Sequence, residues 1–282
     1  MTADGGVVPQ RLEAAASFGP FLEVGDGQAM LRLPGLGRLL ATADGVAVAP
    51  DAGHVIEDLA PLHASALACS WMFRGALPLR AATVERDGRA MLLVGLAATG
   101  KSTVAAALVG SGWRLIGDAV APVRAGDDGV VVEPTSDSVD LWPEALEQLG
   151  HPGDLGRTIR PGVAKRSVTA TELGGTALDG TGAGGTVPVA AVVLLRSRDR
   201  DERVVDRVSG FDAVNLVTGS VWNARACASV LGPTAHFESC MRIVRSATVA
   251  RVGACHGEHP STTAATVAEF VDRAPRPDRG TR

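Results

Sequence analysis

The chain has 282 residues, of which 46% are hydrophobic and 21% charged, with a formal net charge of −4. That balance predicts one large folded domain, or one with a smaller companion, and excludes a disordered or fibrous chain. The slight acidic excess gives no reason to expect nucleic acid or an anionic membrane as partner, and no apolar run approaches the ~18 residues that a membrane helix needs.

The opening MTADGGVVPQ has neither the basic nor the apolar region of a secretory leader, so the expected compartment is the cytoplasm. Four cysteines, Cys69, Cys227, Cys240 and Cys255, form no CxxC pair and are expected as reduced, mostly buried thiols. Cys255-His256 with His259 lacks a second ligand pair to complete a zinc tetrahedron. Lys101 and Lys165 are the only lysines, and the other 25 cationic side chains are arginine. Where arginine has replaced lysine almost everywhere, a lysine that remains marks a chemical need.

Residues 1–50 read as short β pieces broken by Gly and Pro, among them Ala29–Leu33 and Gly45–Ala49. Asp51–Phe73 has helical spacing through Leu62, Ala66, Cys69 and Met72, with Pro61 bending or restarting the helix. Leu79–Glu85 and Ala90–Val94 are β-like, and Asp87-Gly88 between them predicts a hairpin. Val104–Val109 reads as a buried helix ended by Gly110–Gly112, and Trp113–Ile116 as a short strand leading to Asp118. A second hairpin is expected between Val120–Arg124 and Val130–Glu133, and Trp142–Leu149 as a short helix with Pro143 in its first turn.

Gly174–Gly185 holds six glycines in twelve positions and is expected to be a mobile loop. Val189–Leu195 suits a strand buried on both faces. Helices follow near Ala213–Leu216, Val221–Val230 and His236–Arg245, then a strand at Ala247–Val252. A last helix is expected over Thr262–Asp272, capped by Ser261 or Thr262. The segments group as a small β-containing module (1–75), an α/β core with β-hairpins (76–273) and a disordered tail (274–282).

Gly95-Leu96-Ala97-Ala98-Thr99-Gly100-Lys101-Ser102 fits GxxxxGK[ST], the phosphate-binding loop, in a strand–loop–helix setting. Gly95 and Gly100 let the backbone curl so that N–H groups face phosphate oxygens, and the helix beginning near Lys101 adds its positive end. Residues 95–103, through Thr103, are the predicted nucleotide cradle. Lys101 reaches the β- and γ-phosphates, and the Ser102 hydroxyl is placed to ligate Mg²⁺. Asp118 lies 17 residues after Lys101 at the end of the next strand. It is predicted to face the loop, holding Mg²⁺ or accepting a hydroxyl proton.

The stretch LRAATVERDGRAMLLVGLAATGKSTVAAALVGSGWRLIGDAVAPV resembles the catalytic core of HPr kinase/phosphorylase. It looks closest to the shorter HPr-kinase-like proteins found beside peptide-modifying gene clusters, including lasso-peptide kinases. The resemblance is clearest over 77–124 and continues more loosely through VEPTSDSVDLWPEALEQLG, PVAAVVLLRS and ATVARVG. It implies an α/β phosphate-loop core of the type shared with phosphoenolpyruvate carboxykinase, with ATP, Mg²⁺ and transfer of the γ-phosphoryl group to a Ser or Thr hydroxyl. The acceptor is a peptide, a protein or a small hydroxyl-bearing metabolite.

Three positions depart from the family pattern. Arg80 stands where the family has a histidine, Ala119 where it has a second acid serving as proton acceptor, and the later acidic metal ligand is matched nearest by Asp137, with Glu144 a weaker choice. The implied catalytic set is therefore Asp118, Lys101 and Arg80, and the implied metal set Ser102, Asp118 and Asp137. Hexamers are common in the family, but the chain lacks an obvious counterpart to the N-terminal domain of the bifunctional enzymes, which leaves only a homo-oligomer open. The alternative reading is a degenerate relative that binds nucleotide and acts on a partner, because Ala119 accepts no proton and Arg80 does not titrate near neutrality.

Lys165-Arg166 reads either as a phosphate clamp or as a solvated pair. His54, His63, His151 and His236 are isolated, and Trp71, Trp113, Trp142 and Trp222 are expected as core anchors.

Overall fold

The computed structural model describes residues 8–126, 129–160, 162–176, 185–200, 203–255 and 257–273. Contacts divide the chain into two units, one of Met1–Pro78 with Val221–Glu238 and one of Leu79–Ser220 with Ser239–Arg282. The sequence carries no visible signal for the return of 221–238 to the first unit.

The first unit is an antiparallel meander of β1 (Ala16–Ser17), β2 (Leu22–Gly25), β3 (Gln28–Leu33), β4 (Gly37–Thr42) and β5 (Val46–Pro50), in that spatial order. Alternation and register put Leu22, Val24, Ala29, Leu31, Leu39 and Ala41 on one buried face. Helix α1 (Ala60–Phe73) packs on β3 and β4, burying Leu62, Ala66, Cys69 and Met72. Pro61 sits in its first turn, where the missing N–H costs nothing, so it starts the helix rather than bending it. A single 3₁₀ turn, Ile56–Leu59, precedes α1, and 51–55 are not helical. Strand β6 (Leu77–Leu79) falls where the chain passes from one unit to the other.

The second unit begins with a hairpin of β7 (Ala81–Arg86) and β8 (Arg89–Val94), in which Arg86 faces Arg89 across a two-residue turn. Asp87 and Gly88 have φ of 54° and 71°, the paired positive values of a type I′ turn, whose twist matches the strands. Helix α2 (Lys101–Gly110) follows, then β9 (Arg114–Gly117) pairing with β7. A second antiparallel hairpin joins β10 (Ala121–Gly126) to β11 (Gly129–Val132), its two central turn residues lying outside the described ones.

A separate three-stranded sheet has β14 (Arg166–Thr169) between β12 (Ser138–Leu141) and β13 (Arg157–Thr158), with α3 (Pro143–Gln148) after β12. Most of the glycine-rich stretch 174–185 and all of the tail 274–282 lie outside the described residues.

Strand β15 (Val187–Arg200) is the spine of the second unit. It runs parallel to β8 on one side and to β17 (Thr248–Cys255) on the other, with Val193 opposite both Leu93 and Ala250. A strand flanked in parallel needs cover on both faces, which explains the unbroken apolar run. Strand β16 (Val204–Arg207) pairs antiparallel with β17, followed by α4 (Gly210–Ser220).

In the first unit, α5 (Ala224–Leu231) lies against α1, and Asn223 caps it by accepting the Ala226 N–H. Helix α6 (Pro233–Ser246) leads back to β17. Helix α7 (Pro260–Arg273) begins at Pro260, earlier than the serine and threonine expected to cap it. The His259 ring accepts the Ser261 N–H instead.

Past its polar first turn helix α2 is apolar all round, with Val104–Val109 buried, because sheet, β12 and α7 enclose it. Trp113 is buried as expected, whereas Trp142 is half exposed and is not a core anchor. It shares strand parity with Asp140 rather than with the buried Val139 and Leu141. All four cysteines are free, and Cys69, Cys227 and Cys240 are buried. Among the described residues no helix is long and apolar enough to cross a membrane.

Leu93 on β8 is fully buried in the core between the sheet and α2. Leu93→Ala is expected to destabilise the chain by about 2–5 kcal/mol, read as a lowered urea midpoint at unchanged slope.

Candidate functional site

Strand β8 ends at Val94, where it lies opposite Leu194 of β15, and the chain then turns through 95–100 into α2. The turn is tight at its start. Gly95 has φ of 146°, and a Cβ there would lie 2.6 Å from the Leu195 carbonyl oxygen and 2.9 Å from Thr99 Oγ1. Only glycine fits a position both left-handed in φ and pressed on a neighbouring strand. Ala98 and Gly100 are also left-handed, at 62° and 86°. The loop therefore curls, while the side chains of 97 and 98 are exposed.

No side chain caps the start of α2, and its first turn carries no acidic residue. Those N–H groups and the helix dipole favour an anion. Lys101 Nζ donates to the Leu96 carbonyl at 2.7 Å, and Thr99 Oγ1 donates to the same oxygen at 2.9 Å. Burial holds the Lys101 ammonium below the ordinary lysine range, and the like charges of Lys165 and Arg80 lower it further against the opposing pull of Asp118. The charges of Lys165, Arg80 and Asp118 thus all bear on Lys101.

Asp118 follows β9 directly. Its carboxylate accepts the Ser102 hydroxyl, 3.0 Å from each oxygen, and the Asp140 N–H at 3.2 Å. A further main-chain bond comes from Ala119. Burial raises this carboxyl above the ordinary range, the neighbouring Asp140 carboxylate adds to the rise, and the three donors oppose it. Ala119 has φ of 71°, uncommon for a residue with a Cβ.

The residues predicted from sequence fall in distinct places. Lys101, Ser102 and Asp118 come together. Arg80, between β6 and β7, is exposed, donates its N–H to Ser220 O at 2.8 Å, and acts on Lys101 through charge. Asp137 precedes β12, and its carbonyl accepts the Ala170 N–H at 2.7 Å. Glu144 lies in the first turn of α3. Asp140, which the sequence reading did not single out, is the second acid beside Asp118.

The pair Lys165-Arg166 divides its work. Arg166 ties down the 154–158 turn through the carbonyls of Asp154, Leu155 and Gly156 and the Thr158 hydroxyl. Lys165 is the one whose charge reaches Lys101. The scarcity of lysine was the available signal for it. Neither Asp140 nor Lys165 belongs to a short motif: Asp140 lies on β12, and Lys165 directly precedes β14, the strand that pairs with it. Among the described residues no three His, Cys, Asp or Glu side chains gather as a metal cluster, and His256 lies outside them.

No protein-family model and no curated protein matches the chain. Among solved structures, the Hpr(Ser) kinase/phosphatase from Coxiella burnetii is similar at 12% identity and a TM-score of 0.35, covering 68% of this chain and 95% of that one. A likeness at that level does not establish a shared fold.

A carboxyl raised on folding binds more protons in the folded than in the unfolded state just above the ordinary aspartate value. Stability therefore falls as pH rises through that window. Asp118→Asn is expected to flatten the fall, measured as the slope of urea-derived stability against pH between about 4 and 7. An unchanged slope would place the carboxyl in an ordinary solvated state.

Proposed function

We propose that this chain is an ATP- and Mg²⁺-dependent kinase that transfers the γ-phosphoryl group to a Ser or Thr hydroxyl. The single observation behind the reading is the Gly95–Ser102 motif set between β8 and α2 with Asp118 bonded to Ser102. The sequence resemblance to HPr kinase, closest to the short type associated with peptide modification, supports a peptide, protein or small hydroxyl-bearing metabolite as acceptor.

The donor set fits Mg²⁺. Ser102 and Asp118 present a hydroxyl and a carboxylate 3.0 Å apart, hard oxygen donors of the kind that hold this ion together with substrate phosphates and water. Bound with ATP, Mg²⁺ supplies charge neutralisation on the β- and γ-phosphates.

The chain's own groups do the rest. The uncapped N–H groups of α2 receive phosphate oxygens, and Lys101 exchanges the Leu96 carbonyl for the β/γ oxygens. Lys165 and Arg80 add positive charge where the transferred group becomes electron-rich. The acceptor oxygen bonds to the γ-phosphorus as the bond to the β–γ bridging oxygen breaks, ADP departs, and Asp118 takes the hydroxyl proton.

Lys101→Ala is expected to remove about 1.5–3 kcal/mol of ATP·Mg²⁺ binding, roughly 10–100-fold in Kd by calorimetry. Equal affinity in both proteins would contradict the reading.

A second reading, a nucleotide-binding module without phosphoryl transfer, draws on Ala119, which cannot accept a proton. The left-handed backbone there accommodates Asp more readily than Ala, so Ala119→Asp is a clean restoration. With the true acceptor and labelled ATP, wild type is expected to turn over and Ala119→Asp to add nothing. A rate gain of about 10²–10⁴ in the variant over a near-silent wild type would favour the module.

A further inference from the structure

The β12–β14–β13 sheet has two chemically different faces. Val139, Leu141 and Val168 are buried in the core with α2. Alternation therefore turns Asp140, Ser167 and Arg157, which are aligned across the three strands, to the opposite side. Lys165 shares that side, because its carbonyl accepts the Ile159 N–H at 3.4 Å, one pair past Thr158 and Arg166. Trp142 follows β12 in extended backbone, keeps the parity of Asp140 and is 52% exposed. At its free edge β12 meets Asp118, through the Asp140 N–H at 3.2 Å.

Beyond Asp140 the charge on this face is positive. Residues 157–166 read RTIRPGVAKR, four cations without an acid. Arg166 is committed to the carbonyls of 154–156. Arg157 is exposed, and neither it nor Lys165 has an ion-pair partner among the described residues. Arg86, Arg114, Arg124 and Arg203, by contrast, each hold a carboxylate. The nearby Glu172 is held by the Thr169 N–H and hydroxyl at the other end of β14. A half-exposed tryptophan beside uncompensated cations is the composition of a recognition surface.

We infer that this face docks the acceptor as an acidic peptide segment, its hydroxyl at Asp118 and an Asp or Glu side chain on Arg157 and Lys165. The inference rests on the kinase reading above and names its acceptor class. Arg157 and Lys165 are diagonal neighbours across β13 and β14, within reach of one carboxylate. Two strand spacings, ~10 Å, separate Asp140 from Arg157, which an extended peptide covers in about three residues. The acid is therefore expected three positions from the accepting Ser or Thr, with Trp142 giving apolar contact to the residues between.

The test is fluorescence anisotropy of two labelled peptides, each with one Ser in a Gly-Ala background. One carries Asp three positions to either side of the Ser, and the other carries Asn there. At low salt, with Mg²⁺ and a non-hydrolysable β,γ-imido ATP analogue, wild type is expected to bind the Asp peptide roughly three- to tenfold more tightly. The preference should shrink as salt rises. Arg157→Glu should abolish it and leave affinity for the analogue unchanged, which also shows that the variant folds. A preference that survives Arg157→Glu would overturn the assignment. So would lost analogue binding in that variant, which would place Arg157 with the nucleotide. If wild type binds the analogue without preferring the Asp peptide, the inference alone fails. If it binds no analogue, the kinase reading fails and the acceptor assignment with it.

Discussion

The parallel pairing of β8 and β15 is the constraint on which the second unit depends. Parallel strands need cover on both faces, and here Val189–Leu194 and Ala90–Val94 are fixed against each other, with β17 on the far side of β15. The pairing sets where β8 must stop. Its next residue, Gly95, lies so close to the Leu195 carbonyl that no side chain fits, and the chain has to turn there. The curl of the loop and the direction in which α2 leaves both follow from that close approach. The buried apolar surface of α2 against the sheet and α7 then holds the helix start in place.

Against that rigid frame stands a destabilising element. Asp118 is a carboxylate withdrawn from water, next to a second carboxylate, and its three hydrogen-bond donors only partly offset the cost. Lys101, withdrawn as well, faces two further cations. Opposed charges that are each poorly solvated, arranged around an uncapped helix start, would under the proposed function meet a polyphosphate with a divalent ion. The same preorganisation explains why the Ser102 hydroxyl and the Lys101 ammonium rest on protein oxygens, Asp118 and Leu96, that bound phosphate and metal would replace.

Much of this was legible in the sequence where the determining contacts are local. Asp87-Gly88 specified its hairpin through backbone conformation alone, and the apolar runs of β8, β15 and α2 specified burial. The loop motif and Asp118 are close in sequence, so spacing sufficed to relate them. The β12–β14–β13 sheet was not legible, because its strands have four residues or fewer and β12 pairs with β14 across more than twenty intervening positions. Asp140 and Lys165 reach the site only through that pairing. The start of α7 was misplaced because Pro260 and the His259 ring do together what a serine cap was expected to do alone. The exposure of Trp142 follows from strand parity, which becomes visible only once β12 is known to be a strand.

Amide hydrogen exchange with and without the non-hydrolysable ATP analogue and Mg²⁺ tests the central claim most directly. Protection should appear at Gly95–Val104, where N–H groups would face phosphate, and at Ala119 and Asp140, whose N–H groups bond the Asp118 carboxylate. The rest of the second unit should exchange as before. Protection elsewhere with none at 95–104 would contradict the account.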